Sequence, residues 1–265
     1  MNVKGMNTYI KNTLRVVFTV YFGFGLILFL FQKRFVYFPD NQDFNSCSSF
    51  LESEKLDLNG TRVYYRENGF KNLLILYHGN AGSACDRSFW KKYLESLNFS
   101  YLVVEYAGYS NDKRMPSKEL LLKDVENVNE FTMGKNFENI VVAGESLGTS
   151  MAAYHSTLTS VNKLLLISPF YSLNDIAMRD YWMYPIPLLF TENFNTGAWM
   201  KKTKAIKIEI LHGVLDEIVP LQNSKKLFDK IETNEKKFIE VDGAHHNDIY
   251  NFNKTSENIR RFLSE

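Results

Sequence analysis

The residues best suited to chemistry begin with a serine in a glycine-flanked motif. Ser146 lies at the centre of Gly-Glu-Ser-Leu-Gly, residues 144–148, which follows the apolar run Ile140–Ala143 and precedes a helix-compatible stretch. In a G-x-S-x-G motif the serine occupies a sharp strand-to-helix turn that exposes its hydroxyl. The two glycines are required because side chains at their positions would collide with the neighbouring strand and helix. The motif therefore predicts nucleophilic catalysis by Ser146.

A serine hydroxyl becomes a good nucleophile only when a base removes its proton, and the chain has five histidines to supply one. His245 and His246 follow the last predicted strand, and we predict that the base is one of these two. The other three are predicted to be structural. His155 falls in the helix after the serine, while His78 and His212 each precede a glycine at a strand end.

An acidic pair follows the preceding predicted strand, in His-Gly-Val-Leu-Asp-Glu-Ile-Val-Pro, residues 212–220. We predict that Asp216, rather than Glu217, holds the imidazole in the reactive tautomer and stabilises the imidazolium that forms during attack. An acidic residue at a strand end often only meets solvent or caps a helix. The position of Asp216 between the serine and the histidine favours the catalytic interpretation.

Two backbone N–H groups are needed to stabilise the oxyanion that forms on the substrate. One is predicted to be that of Leu147, and the other that of Asn80 in His-Gly-Asn-Ala-Gly, residues 78–82. The alternative for this second segment is an ordinary glycine-rich turn. A phosphate-binding loop is disfavoured because no Gly-Lys-Ser/Thr follows.

From about residue 60 onward, short β-rich apolar runs alternate with segments of helical periodicity. The predicted strands are Arg62–Arg66, Leu73–Tyr77, Tyr101–Glu105, Ile140–Ala143, Leu164–Ile167, Ile208–Leu211 and Phe238–Val241. The predicted helices are Phe89–Leu97, Leu120–Met133, Leu221–Ile231 and Ser256–Leu263. This alternation predicts an α/β fold, a mostly parallel sheet flanked by helices, with the chemistry at the carboxyl ends of the strands.

The first 38 residues are different in character from the rest of the chain. Residues 16–32 are uncharged and form a helix of roughly 26 Å, which is just long enough to span a bilayer. A cleaved signal peptide is disfavoured because no small-residue cleavage site follows, and a core helix because the run is apolar on all sides. We therefore predict a transmembrane anchor over residues 1–38. Three basic residues before the span against two after it favour a catalytic domain outside the cytoplasm.

Composition excludes several other classes of protein. The 265 residues carry 31 basic and 30 acidic side chains, a net charge of +1 that argues against nucleic-acid binding. With 45% hydrophobic residues the chain can bury a large core. Its two cysteines cannot by themselves make a disulfide scaffold or a zinc site. The predicted chemistry requires no cofactor and no metal.

These motifs, in combination with the membrane segment, resemble the α/β-hydrolases of the Bem46-like and ABHD type. The segments that carry the resemblance are Phe35–Pro39, Leu76–Gly82, Val104–Ser110, Gly144–Gly148, Ser168–Leu173, His212–Pro220 and Gly243–Ile249. The resemblance implies an α/β-hydrolase fold with Ser146 as nucleophile, Asp216 as acid and His246 as base, in the chain order Ser…Asp…His that this fold uses. His245 stands where the family has a glycine.

The resemblance also implies a domain organisation. Residues 39–59 are predicted to be the linker and the entry into the domain, and residues 60–265 the α/β-hydrolase domain, with a short lid at about residues 169–203. Six large apolar residues in the lid either line an acyl pocket or simply pack the lid: Phe170, Tyr171, Trp182, Tyr184, Leu188 and Phe190.

The main hypothesis is a membrane-anchored serine hydrolase that cleaves an ester or thioester of an acyl or lipid-like substrate through an acyl-enzyme. Its expected partners are a small molecule or an acylated protein as substrate, together with the membrane. One alternative is a serine peptidase of aminopeptidase type, which needs an acidic group to bind the substrate amine. Another is a catalytically silent, membrane-tethered scaffold with a hydrolase fold. A complete Ser…Asp…His set argues against the scaffold.

Overall fold

The computed structural model describes residues 3–265, with side chains described from Asn7 onward. Ten strands form, and their bounds are β1 Phe38–Pro39, β2 Lys55–Leu58, β3 Thr61–Arg66, β4 Asn72–Tyr77, β5 Ala81–Gly82, β6 Phe99–Glu105, β7 Asn139–Glu145, β8 Val161–Ile167, β9 Ala205–Gly213 and β10 Lys236–Val241. Eight of them make one sheet in the order β10-β9-β8-β7-β4-β6-β3-β2. The pairs from β10 to β6 are parallel, while β3 and β2 are antiparallel at one edge.

Helices cover both faces of this sheet. Their bounds are α1 Val3–Val36, α2 Lys91–Leu94, α3 Lys118–Met133, α4 Leu147–Leu158, α5 Leu173–Asp180, α6 Ile186–Leu189, α7 Thr196–Met200, α8 Leu221–Phe228 and α9 Asn253–Ser264. Successive side chains of a strand point to opposite faces, so the apolar run of β4 serves two cores. Leu73 and Ile75 pack in the core on one face, and Leu74 and Leu76 in the core on the other. The central strands are therefore buried on both sides, as the parallel arrangement requires.

All of the predicted strands are present, each extended by a few residues, and the predicted α/β class is confirmed. The predicted helix Phe89–Leu97 is instead broken, with one α-helical turn, α2, between two 3-10 segments. So short a helix is marginal by itself. Its conformation follows from the packing of Trp90 and Tyr93, each only 1% exposed.

Part of the segment predicted as a linker belongs to the sheet. β2 pairs with β3 through a tight turn in which Asn59 and Gly60 have φ values of 54° and 90°. Both residues tolerate positive φ, and Asn-Gly is a strong hairpin signal. The sheet therefore begins before residue 60.

The N-terminal helix α1 is long and apolar enough to cross a membrane. Over Asn7–Val36 its mean hydropathy reaches 2.2, and it ends with Lys33 and Arg34 in the last turn. Length and composition of this kind fit either a membrane anchor or a signal sequence. Most of its apolar side chains are exposed, including Phe22 (64%) and Leu30 (62%).

A disulfide joins Cys47 to Cys85, with 6.0 Å between their Cα atoms. It links the segment before β2 to the 3-10 turn that follows β5. Two cysteines are too few for a disulfide scaffold, but they can form this single bond. Two cysteines 38 residues apart carry no signal that they meet.

We expect loss of this disulfide to lower the free energy of unfolding by about 4 kcal/mol, because the bond closes a 38-residue loop and so reduces the conformational entropy of the unfolded chain. Reductant should therefore lower the unfolding temperature of the full chain in detergent by about 10 °C, as followed by circular dichroism. A Cys47→Ser/Cys85→Ser double variant should unfold at the lower temperature with or without reductant. An unchanged unfolding temperature after both thiols are shown to be free would contradict this account.

Candidate active site

Ser146 sits in a strained turn between β7 and α4. Its φ of 50° and ψ of −116° lie outside the backbone regions that residues other than glycine favour. A Cβ at Gly144 would lie 2.3 Å from the carbonyl oxygen of Gly148, and a Cβ at Gly148 would lie 2.2 Å from that of Tyr77. Only glycine fits at either place, so the two glycines allow α4 to pack against the strands while the serine is held at the turn.

The structure brings the three predicted side chains together at the carboxyl ends of their strands. His246 Nε2 lies 2.9 Å from Ser146 Oγ, and His246 Nδ1 lies 2.7 Å from Asp216 Oδ2. Because an ionised carboxylate only accepts hydrogen bonds, Nδ1 donates to Asp216 and Nε2 is left to accept from the serine hydroxyl. The other oxygen of Asp216 accepts the N–H groups of Ile218 and Val219, at 3.0 and 2.7 Å.

The neighbouring pair, His245 and Glu217, lies outside this arrangement. Their side chains are about half exposed and hydrogen-bond to each other at 2.9 Å. The hydrogen bond that His245 donates to Glu217 raises the pKa of His245. Of the two adjacent histidines and the two adjacent acids, the structure therefore joins only His246 and Asp216 to the serine.

The residues predicted to form an oxyanion hole face the same cavity as the serine. Asn80, Leu147 and Ser146 all line it. Leu147 is the first residue of α4, where backbone N–H groups have no partner within the helix and the helix dipole favours negative charge. Asn80 is fixed on its other side, since its Oδ1 accepts a hydrogen bond from Tyr109 at 2.9 Å.

The remaining histidines are buried and bond to groups other than the serine, and His212 Nε2 also lies 3.3 Å from Asp216 Oδ2. His78 lies 3.2 Å from Glu105, and His212 Nε2 lies 2.9 Å from the carbonyl oxygen of Val219. His155 is a buried residue of α4, and its burial lowers its pKa to about 4 and so keeps the ring neutral. These contacts position the loops at the carboxyl edge of the sheet.

An ion pair beside the serine could not be found from the sequence. Arg87 contacts both carboxylate oxygens of Glu145, at 2.6 and 3.0 Å, and Tyr250 donates to the same carboxylate at 3.1 Å. Burial opposes the guanidinium charge, but the ion pair outweighs it and raises the pKa of Arg87. Glu145 occupies one of the two variable positions of the G-x-S-x-G motif. The motif therefore does not indicate that this residue connects the turn at Ser146 to Arg87, two residues after Cys85.

An apolar cavity of about 310 Å³ opens at Ser146. Of the six large apolar residues in the predicted lid, Phe170, Tyr184 and Phe190 line the cavity, Tyr171 is half-buried beside Lys226, and Trp182 and Leu188 point outward. The lid therefore both lines the cavity and presents an apolar outer surface.

The C-terminal half of α1 supplies another wall of this cavity. The residues involved are Leu28, Phe29, Gln32, Phe35 and Val36. The sequence could not show this contact because the helix is apolar on all sides and so has no face that a pattern would assign to the domain. Within the described residues, no cluster of His, Cys, Asp and Glu could hold a metal ion.

The parallel sheet, the crossing helices and the serine turn together define the α/β-hydrolase fold. Among solved structures, an esterase of Pyrococcus furiosus superposes with a TM-score of 0.64 at 16% identity, covering 79% of this chain and 88% of that one. Est1E of Butyrivibrio proteoclasticus, with ferulic acid bound, superposes with a TM-score of 0.61 at 16% identity, covering 79% of this chain and 96% of that one. The predicted fold is thereby confirmed.

A curated relative extends over nearly the whole chain. The uncharacterised protein Rv2307c of Mycobacterium tuberculosis is 27% identical over 257 residues, which cover 91% of each chain. No protein-family model matches the chain. The fold is thus established, and the function must be argued from the site.

Proposed function

We propose that this chain is a membrane-anchored serine hydrolase of the Bem46-like type, which cleaves ester or thioester bonds of an acyl substrate. The observation that carries the proposal is the hydrogen-bonded series from Asp216 through His246 to Ser146 at the end of an apolar cavity. A relative in fold from Pyrococcus furiosus is named as an esterase, which supports ester chemistry.

In the first half of the reaction, Ser146 Oγ attacks the acyl carbon while its proton passes to His246 Nε2. Asp216 stabilises the imidazolium that results. The tetrahedral intermediate then collapses, the bond from carbon to the leaving oxygen or sulfur breaks, and the proton on Nε2 passes to that leaving group. The products of this half are an alcohol or thiol and an acyl-serine.

Water completes the cycle by the same route in reverse. It gives a proton to His246 Nε2 as its oxygen bonds to the acyl carbon, and the bond to Ser146 Oγ breaks as the serine regains a proton. A free acid leaves. In both halves the N–H groups of Leu147 and Asn80 would stabilise the oxyanion, which is the usual source of the largest single rate contribution in such sites.

The cavity favours an acyl group over a peptide. Its walls are aliphatic and aromatic, apart from a few polar groups that include Ser146 and Asn80 at the reactive end. An aminopeptidase needs a free carboxylate to bind the substrate amine. Asp180 lines the cavity, but its carboxylate is paired with Arg179 at 2.7 Å, so its charge is already compensated.

The disulfide supports a catalytic domain outside the cytoplasm. Disulfides persist mainly in oxidising compartments, and Cys47 and Cys85 are bonded to each other. The greater number of basic residues before the span points in the same direction. We therefore place the N-terminus of α1 in the cytoplasm and the site on the opposite side.

Labelling with a fluorophosphonate probe tests the proposed chemistry. We expect the purified full chain to be labelled at Ser146, as shown by mass spectrometry of the peptide, and Ser146→Ala to remain unlabelled. A chain-length series of acyl esters and thioesters should then show hydrolysis that rises with chain length, because longer chains bury more apolar surface in the cavity. A folded wild type that stays unlabelled would defeat the enzyme proposal, and a flat chain-length series would defeat the acyl proposal.

A further inference from the structure

The uncharged part of the lid runs along the uncharged part of α1. Residues 181–190, which we call the lid tip, read Tyr-Trp-Met-Tyr-Pro-Ile-Pro-Leu-Leu-Phe and contain no charge. The first acidic residues on either side of the tip are Asp180 and Glu192, and the last apolar turns of α1 end at Lys33. Lys33 and Glu192 approach within 3.9 Å. The apolar part of α1 and the lid tip therefore end at the same level, where Lys33 lies beside Glu192.

From this boundary the lid tip follows α1 toward its N-terminus. Gln32 accepts the backbone N–H of Thr191 at 2.8 Å, just before the boundary. Farther along, Tyr184 stacks on Tyr21 with 4.7 Å between the ring centroids, and the Tyr21 hydroxyl donates to the carbonyl of Met183 at 2.6 Å. From residue 33 back to residue 21 is about 18 Å of helix, close to half of a hydrocarbon core of about 30 Å. If α1 spans a bilayer, the lid tip lies beside it within one leaflet.

The backbone of the lid tip is suited to that environment, where unpaired N–H groups are costly. Two of its residues are prolines and carry no N–H. The N–H groups that donate to nearby backbone carbonyls are those of Tyr181, Tyr184, Ile186, Leu188, Leu189 and Phe190. Most of the tip therefore needs no water to satisfy its donors.

The outer surface of the lid tip is strongly apolar. Leu188 is 83% exposed, Trp182 77% and Met183 56%. Side chains of this kind, clustered on one exposed surface next to a membrane helix, are suited to contact with lipid. The inner surface of the same tip lines the cavity at Ser146, with α1 as the facing wall.

We propose that the lid tip is embedded in the leaflet beside α1, and that the cavity takes an acyl chain of a membrane glycerolipid directly from the hydrocarbon. The ester of such a lipid lies near the headgroup boundary, where Lys33 places the mouth of the site. This inference rests on the proposed hydrolase function and specifies its substrate. A lipid oxygen ester is favoured over an S-acylated protein because the disulfide places the site in an oxidising compartment, where protein thiols are consumed.

The position of the lid tip can be tested without any catalysis. The inactive Ser146→Ala full chain is reconstituted in phosphatidylcholine vesicles whose acyl chains are brominated, and tryptophan fluorescence is measured. Trp90 is 1% exposed and Trp199 packs against Tyr154, so Trp182 should be the residue quenched. We expect quenching in Ser146→Ala and its loss in Ser146→Ala/Trp182→Phe. Equal quenching in the two would overturn the embedded lid.

The route of the substrate is tested with Leu188→Asp in the active enzyme. Leu188 is not part of the cavity wall, and a carboxylate there is unfavourable only if the position lies in hydrocarbon. We expect fatty-acid release from vesicle phosphatidylcholine to fall about tenfold or more. Hydrolysis of a water-soluble short-chain ester should change less than twofold. Met133→Asp, at an exposed residue that ends α3 and lies outside the cavity wall, is the matched control and should leave both activities unchanged.

The outcomes separate this inference from the function on which it rests. If wild type hydrolyses the soluble ester but Leu188→Asp keeps full activity on vesicle lipid, entry of the substrate from the hydrocarbon is wrong, and the proposed hydrolase function is still supported. If Trp182 is quenched but no ester of any kind is cleaved, both the hydrolase function and the lipid substrate fall. Hydrolysis of a membrane-anchored S-palmitoyl peptide, with vesicle lipid left intact, would overturn the choice of a lipid substrate.

Discussion

Replacing His246 by alanine should lower kcat on a short-chain ester by about a million-fold, the same loss as Ser146→Ala. Without this imidazole the serine loses the group that takes its proton, because the buried histidines His78, His155 and His212 bond to other groups. The double variant should be no worse than either single one, because the two groups act as a unit. Steady-state kinetics and fluorophosphonate labelling rates measure the effect.

His245→Ala is the matched control, one residue away in the chain. The His245 side chain is half exposed and bonds to Glu217 rather than to the serine, so kcat should change less than about threefold. Circular dichroism of each variant shows that the fold is retained. A large loss in His245→Ala with a small one in His246→Ala would reverse the assignment that the geometry supports.

The sequence was sufficient for the fold because its signals are local. Continuous apolar runs such as β4 and β7 must be buried on both faces, and a parallel sheet flanked by helices does this. The hairpin of β2 and β3 could have been predicted from the turn signal Asn59-Gly60. The apolar pattern of β2 is weaker than that of the central strands. The break in the helix at residues 89–97 could not be predicted from the sequence, because its conformation depends on how Trp90 and Tyr93 pack against distant residues.

The reactive side chains could be predicted for a different reason. Each follows a strand, and the carboxyl ends of parallel strands converge at one edge of the sheet. The contacts around them could not be predicted, because Arg87 with Glu145 and Cys47 with Cys85 are single pairs without periodicity. The same holds for the wall that α1 adds to the cavity. An all-apolar helix carries no pattern to say which side faces the protein.

The wall that α1 adds to the cavity gives this helix a role beyond the membrane anchoring that we propose for it. The strand β1, directly after α1, pairs with β5 in the loop that carries Asn80, and Tyr37 donates to the buried Glu192 at 2.7 Å. Burial is the main cause that raises the pKa of Tyr37, so its hydroxyl stays protonated as a donor. The segment directly after α1 is thus hydrogen-bonded both to Glu192 and to the loop that carries Asn80. If α1 spans a membrane as we propose, its orientation sets that of the site.

Asp216→Asn should lower kcat by about ten-thousand-fold with little change in KM. An asparagine at this position can still accept the N–H groups of Ile218 and Val219, so the loop should keep its shape. Its amide, however, would donate to His246 Nδ1 and so favour the tautomer in which Nε2 carries the proton. That nitrogen could then no longer accept from Ser146, and the imidazolium would lose its carboxylate partner.

The adjacent acid again provides the control. Glu217 is more than half exposed and bonds only to His245 among the histidines, so Glu217→Gln should leave kcat within about twofold. Both variants are compared with wild type on one soluble ester at pH 8, with thermal unfolding recorded in parallel. If Asp216→Asn retained a tenth of the activity while Glu217→Gln lost most of it, the acid would be Glu217, and the hydrogen bond that Asp216 accepts from His246 would serve only to hold the loop.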